Sequence, residues 1–145
     1  MILISHRGNL TGPNSCLENS PQAIIKATEC GYDCEIDVWK KDDNFYLGHD
    51  VPIYKIEKDF LRNKMLWIHC KNFEALTDLI SDETIISNVF FHNNDSYTIT
   101  SKGIIWAYPL MKVDDNCIIV MKHYDDESKS LQVKGICSDY VSFYS

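Results

Sequence analysis

The chain has no surplus of positive charge: 14 lysines and arginines face 21 aspartates and glutamates, leaving a formal charge of -7. That excludes a protein that tracks nucleic-acid phosphates or coats an anionic membrane, both of which need a cationic face. A local pair of basic side chains still suffices to hold one phosphate. Also missing is any apolar run approaching the roughly 18–20 residues of a membrane span. The start, Met1-Ile2-Leu3-Ile4-Ser5-His6-Arg7, enters a β-like apolar run without the basic leader of a secretion signal, so a cytoplasmic location is expected. No two of the six cysteines have C-x-x-C spacing, which argues against a structural zinc knot. Cys34, Cys70, Cys117 and Cys137 lie inside apolar strand-like segments, where buried reduced thiols are expected. There is no internal repeat, low-complexity segment or linker. With 45% hydrophobic and 24% charged residues, positions 1–145 are expected to form one globular domain.

Short β-rich runs recur along the chain, separated by polar or helix-like stretches, the alternation of βαβ units in an α/β protein. Ile2-Leu3-Ile4 is the first strand. After a loop containing Gly8, Gly12 and Pro13, Ser20 is a natural N-cap and Pro21 a first helical residue for a helix running from Gln22 to Cys30, which Gly31 ends with a positive φ. A strand at Tyr32 to Trp39, a turn at Asp42-Asp43-Asn44 and a return strand at Phe45-Tyr46-Leu47 form an appended hairpin. Further strands are expected at Met65 to Cys70, Asn88 to Phe91, Ile104 to Ala107, Cys117 to Met121 and Gly135 to Asp139, with a helix at Phe73 to Ile80. Past Phe91 the connections are too short for long helices, so any barrel of this kind must be a reduced one.

Polar residues cluster where these strands end: His6 with Arg7, Glu35 with Asp37, His49 with Asp50, His69 with Lys71. Residues i and i+2 of a strand share a face, so Glu35/Asp37 and His69/Lys71 each project as a pair. In parallel α/β sheets the carboxyl ends of strands build the site, which would bring the four clusters together. Two carboxylates offer hard ligands to a divalent cation, two histidines can serve as proton donor and acceptor, and Arg7 with Lys71 can hold a phosphate. Taken singly, each has a plainer reading: Glu35-x-Asp37 as a solvated strand face, His6 as a surface histidine. The conjunction points to phosphoryl chemistry.

In order, Ile4-Ser5-His6-Arg7-Gly8, Glu18-Asn19-Ser20-Pro21, Cys34-Glu35-Ile36-Asp37-Val38, Gly48-His49-Asp50, Ile68-His69-Cys70-Lys71 and Gly135-Ile136-Cys137-Ser138-Asp139 resemble the motifs of the glycerophosphodiester phosphodiesterases. Those enzymes share a (β/α)₈ barrel with phosphatidylinositol-specific phospholipases C. The match is densest over residues 4–50 and weak between Asn72 and Lys134. The resemblance implies a reduced or truncated TIM-type (β/α) barrel of the phospholipase C-like phosphodiesterase kind. It assigns Glu35 and Asp37 to a divalent cation (Mg²⁺, Mn²⁺ or Ca²⁺), His6 and His49 to acid/base catalysis, and Arg7 and Lys71 to the substrate phosphate. Glu18 and Asn19 become supporting groups, for which helix capping is an alternative role. The implied activity is metal-dependent cleavage of a small glycerophosphodiester-like substrate. A lyase releasing a cyclic phosphate and a degenerate phosphate-binding module are the alternatives.

Two departures bear on this. His69 stands where the family has a third acidic ligand: it can ligate and favour a transition metal, stand aside while two carboxylates and water hold the cation, or mark loss of metal and activity. The chain is also far shorter than the roughly 200–250 residues of a full barrel. A thinned outer ring leaves apolar strand faces to be covered, for which a homodimer is expected. His92, with Asn93 and Asn94, Trp106 with Tyr108, and His123 with Tyr124 fall near strand ends and are candidates for lining the pocket, as loop or filling residues otherwise; Asp139 is either a site or a structural residue.

Overall fold

A computed structural model describes residues 1–145. Ten strands form one curled mixed sheet. In chain order they are β1 (Ile2–His6), β2 (Asp33–Lys41), β3 (Asn44–Leu47), β4 (Tyr54–Ile56), β5 (Leu66–Cys70), β6 (Asn88–Phe90), β7 (Tyr97–Ile99), β8 (Ile105–Ala107), β9 (Cys117–Met121) and β10 (Gly135–Ser138). The two α-helices are α1 (Pro21–Glu29) and α2 (Phe73–Ser81). Seven strands run parallel in the order β6-β5-β2-β1-β10-β9-β8, so the last strand lies beside the first. β3, β4 and β7 are antiparallel additions.

This corrects the expected TIM-type (β/α) barrel: the fold is a sheet-rich half-barrel with two helices. Strand–helix alternation holds for β1-α1-β2 and β5-α2-β6 and then stops. From β6 onward the connections carry the extra strand β7, short 3₁₀ turns and irregular chain, because gaps of 5 to 13 residues, mostly polar, do not build and pack an α-helix here. The ends of the parallel array, β6 and β8, share no ladder. They are tied through the β7 segment, where Ser101 N–H donates to the Val89 carbonyl (2.7 Å) and the Thr98 hydroxyl to the Phe91 carbonyl (2.9 Å).

Local rules account for the elements read correctly. Ser20 caps α1, its hydroxyl accepting from Ala23 N–H, with Pro21 at the first helical position and Gly31 beyond the end at φ +89°. Asn72 caps α2 in the same way. Asp42 and Asp43 both take positive φ, the two-residue turn whose twist suits a hairpin, and they link β2 to β3.

Alternation along the strands makes three apolar layers. Outward residues Cys34, Ile36 and Val38 of β2 and Leu66, Ile68 and Cys70 of β5 pack with Ile24 and Ala27 of α1 and Ala75 and Leu79 of α2. On the opposite flank no helix covers the sheet; Ala107, Ile119 and Ile136 are covered instead by Tyr144, Tyr124, Met111 and Val113 from loops and the C-terminal segment. Inside the curl, Ile4, Trp67, Phe90, Trp106, Ile118 and Cys137 form an apolar floor. One strand step further toward the carboxyl ends, the same inward rows carry His6, Glu35, Asp37, His69 and Asp139. All six cysteines are free, with Cys34, Cys70, Cys117 and Cys137 buried; burial pushes the Cys70 thiol up to about 12, so it is a small apolar side chain at neutral pH. No helix is long and apolar enough to cross a membrane.

Candidate active site

Register brings the chemistry together. His6 of β1 is the ladder partner of Glu35, and Asp37 is the partner of His69, so residues distant in sequence meet on one inward face. Glu35, Asp37 and His69 are 3%, 0% and 6% exposed. With His6, Arg7, His49 and Lys71 on one side and His92, Asn93, Trp106, Tyr108 and Val120 on the other, Glu35 and His69 line a cavity of about 280 Å³. A larger hollow of about 640 Å³ lies over β7, β8 and the chain before β9, away from every one of these groups.

Within the site Asp37 is the hub. Its Oδ2 accepts from the Asn19 amide at 2.9 Å and lies 3.2 Å from Arg7 Nε, while its Oδ1 lies 2.9 Å from His69 Nδ1 and 3.7 Å from Lys71 Nζ. The Asn19 side-chain carbonyl in turn accepts from Asp37 N–H. Burial alone would raise the Asp37 pKa, but His69, Arg7 and Lys71 outweigh it and hold the carboxyl well below its usual range. Glu35 behaves oppositely. Burial and the charge of Asp37 push its pKa up, and His6, Arg7 and His69, at greater distances, compensate only in part.

His6 is oriented by Asp139, whose Oδ1 accepts from Nδ1 at 2.9 Å, leaving Nε2 toward the cavity and 3.8 Å from Glu35. Burial opposes the imidazolium, yet the Asp139 hydrogen bond and the Glu35 charge raise its pKa above the ordinary 6.5. Asn9 donates to both Asp139 (2.8 Å) and Glu18 (3.1 Å), and Glu18 pairs with Arg7 at 3.3 Å, so one network fixes His6 and Arg7 together. Arg7 and Asn19 both take positive φ, +55° and +59°, the local backbone strain of a site held by its surroundings.

His49 comes from the β3–β4 connection rather than from a parallel strand, and its Nδ1 donates to Asp50 at 2.8 Å. The loop is pinned at Gly48, whose N–H donates to the Asp37 carbonyl and whose carbonyl accepts from the Trp39 indole at 2.6 Å. Gly48 has φ +152°, and a Cβ there would stand 2.0 Å from the Val51 carbonyl oxygen. Gly48→Ala is therefore expected to cost about 2–3 kcal/mol and to displace His49; thermal unfolding and His49 chemical-shift perturbation relative to wild type are the measurements.

All nine sequence candidates thus fall in or directly behind one cavity: His6, Arg7, Glu35, His49, His69 and Lys71 line it, Asp37 sits beneath, and Glu18 and Asn19 brace Arg7 and Asp37. His92 also lines it, its ring stacked 4.2 Å from His69; burial and the His69 charge lower its pKa to about 4, so it is neutral. Trp106 is 2% exposed and belongs to the floor, meeting the cavity only at its upper side. His123 is exposed and Tyr124 packs on Tyr144, both outside the cavity. Asn9 was not foreseen, and no spacing rule singles it out.

Four buried side-chain atoms here form no well-aligned hydrogen bond: Arg7 Nε and Asp37 Oδ1, which keep their ion contacts of 3.2 and 2.9 Å, and Glu35 Oε2 and His69 Nε2. Buried polar groups are almost always paired, so Glu35 Oε2 and His69 Nε2 are the atoms of this cluster left open to a further partner. Glu35, Asp37 and His69 each offer an atom within 4.8 Å of the others, a set that fits one divalent cation. The chain matches no protein-family model, no curated protein and no solved structure.

Proposed function

We propose that this protein is a metal-dependent phosphodiesterase that cleaves a small, soluble phosphodiester by acid/base catalysis at His6 and His49. One observation carries the reading: the four buried polar atoms that form no well-aligned hydrogen bond belong to Arg7, Glu35, Asp37 and His69, which together offer a cation two carboxylates and an imidazole and a phosphate a guanidinium, with Lys71 lining the same cavity. A binding module would use Arg7 and Lys71 but has no need of an imidazole braced by a carboxylate.

Glu35, Asp37 and His69 would hold the cation, which when bound neutralises charge developing on the phosphoryl oxygens. Arg7 and Lys71 orient the phosphate from the same side. His6, its Nδ1 anchored on Asp139, presents Nε2 to move a proton at one apical oxygen, and His49 on its pinned loop serves the other. Against burial, the Asp139 hydrogen bond and the Glu35 charge raise the His6 pKa and favour the imidazolium, the form that donates a proton to a leaving oxygen. A cavity of about 280 Å³ suits a phosphate with a small alcohol and is at the low end for a ligand site.

The test is ³¹P NMR of a panel of small diesters, glycerophosphodiesters among them, incubated with protein and Mg²⁺, Mn²⁺, Zn²⁺ or Ca²⁺. The expected result is a new monoester resonance, lost with chelator and in His6→Ala. A cyclic phosphate would reassign the reaction as that of a lyase. Silence across the panel with every cation would refute the catalytic reading.

A further inference from the structure

The cation site has a donor set that discriminates among cations. Resting on the phosphodiesterase reading above, we propose that the site takes a transition cation of the Co²⁺ or Zn²⁺ kind in preference to Mg²⁺ or Ca²⁺, and that His69 sets the choice.

Three observations lead there. The donors are two carboxylates and one imidazole, all buried and mutually within 4.8 Å. Mg²⁺ and Ca²⁺ bind oxygen and gain little from an imidazole, whereas the later first-row ions gain much. Second, the negative field that holds a hard cation is weakened here, because Asp37 also faces Arg7 Nε at 3.2 Å and Lys71 Nζ at 3.7 Å. A cation bound chiefly by charge loses more from those neighbours than one bound through a nitrogen lone pair. Third, His69 Nδ1 lies 2.9 Å from Asp37 Oδ1 and 3.8 Å from Glu35 Oε1. Ligand bonds of about 2.0–2.2 Å at angles between 90° and 120° separate donors by about 2.8–3.8 Å, the spacing of these two pairs; Mg²⁺ has bonds of the same length, so the spacing admits a small cation and the imidazole nitrogen makes the choice.

The ring is prepared for the role. Stacking on His92 (4.2 Å, planes 11° apart) and on Phe90 (5.2 Å, planes 2° apart) fixes the plane of the imidazole. Its Nδ1 lies 2.9 Å from Asp37 Oδ1 and holds the ring proton there in the metal-free protein; a cation would displace that proton, and Nε2, which has no partner, is free to carry the ring proton in its place.

The experiment is calorimetry of the metal-free full chain with Co²⁺, Zn²⁺, Mg²⁺ and Ca²⁺ separately, with visible absorption of the Co²⁺ form. Cys16→Ser and Cys30→Ser are included so that the two exposed thiols do not compete. Wild type is expected to bind Co²⁺ and Zn²⁺ at least about 100-fold more tightly than Mg²⁺ or Ca²⁺, with Co²⁺ bands of nitrogen and oxygen ligation and no thiolate charge transfer. His69→Glu, which makes the donor set all oxygen, is expected to narrow that gap at least about tenfold by strengthening Mg²⁺ and Ca²⁺. His69→Gln, neutral and without the nitrogen donor, is expected to lose the Co²⁺ bands. Equal affinity for the four ions in wild type, no binding of any, or a Co²⁺ spectrum unchanged in His69→Gln would overturn the inference. If the preference is found but no diester is cleaved with the preferred ion, the phosphodiesterase reading fails and the cation assignment stands. If diesters are cleaved and the ions bind alike, the reverse holds.

Discussion

His6→Ala is expected to lower kcat by about 10³ while leaving KM within a few-fold, measured on whichever diester the ³¹P panel identifies. On the proposed reading the imidazole carries a proton and does not anchor the phosphate, so Arg7 and Lys71, which line the same cavity, would remain to bind substrate when it is removed. Asp139→Asn is the informative companion. Asparagine keeps the shape and an acceptor at 2.9 Å from His6 Nδ1 but removes the charge. Two forces raise the His6 pKa against burial, the Asp139 hydrogen bond and the Glu35 field, and the variant weakens the first. The limb of the kcat–pH profile that reports His6 is therefore expected to move to lower pH, with kcat reduced about 10-fold to 100-fold. A purely structural Asp139 would cost stability and leave that limb in place.

Much of the site was legible because strand periodicity is exact where helix and loop placement are not. Glu35 and Asp37 two apart in an apolar run, and His69 with Lys71 two apart in another, must share faces, and the parallel pairing of Asp37 with His69 merges them. What could not be read was the wiring behind them. Asn9 joins Glu18 to Asp139 across 130 residues of sequence, and such a contact follows only from β10 returning beside β1. His92 was a candidate whose loop and cavity readings were level; its stacking on His69 depends on β6 lying beside β5 in one register.

The fold was legible in its elements and misread in its architecture. The capped helices, the Asp42-Asp43 turn and the strand positions follow from local chemistry that the neighbours do not override. β4 and β7 were missed: Tyr54-Lys55-Ile56 and Tyr97-Thr98-Ile99 are three residues each, too short for their apolar-polar-apolar alternation to stand out as a period. The barrel expectation rested on the resemblance and on the recurrence of strand-like runs, with the helices past Phe91 expected to be reduced. The three gaps between the expected strands after Phe91 form no α-helix, and the flank beside them is sealed instead by Tyr124, Tyr144, Met111 and Val113. An aromatic loop can bury a sheet face as a helix would, and nothing in a short polar-aromatic connection announces it.

The two carboxylates of the proposed cation site are expected to have opposite effects on stability, and this contrast is the sharpest test of the site's electrostatics. In the metal-free protein Asp37→Asn leaves Arg7, Lys71 and His69 facing a neutral group in a buried setting, and a loss of about 3 kcal/mol or more is expected. Glu35→Gln removes a carboxylate that burial and Asp37 already disfavour in its charged form, so the variant is expected to be more stable by about 1 kcal/mol. The pH windows follow from the shift directions. Glu35 has a folded pKa above its ordinary 4.5, so its destabilising contribution grows as pH rises from there and is complete above the folded value. Asp37 has a folded pKa below its ordinary 3.8, so its stabilising contribution is complete above that value and is lost as pH falls beneath it. Urea unfolding of metal-free wild type, Glu35→Gln and Asp37→Asn between pH 4 and 8 is expected to show the first variant gaining on wild type as pH rises and the second weaker throughout. Adding the bound cation should reverse the ranking of Glu35→Gln, because wild type alone then supplies the carboxylate that the ion requires. If Glu35→Gln is destabilised without metal as strongly as Asp37→Asn, Glu35 is a structural ion-pair partner, and the case for a cation between them is lost.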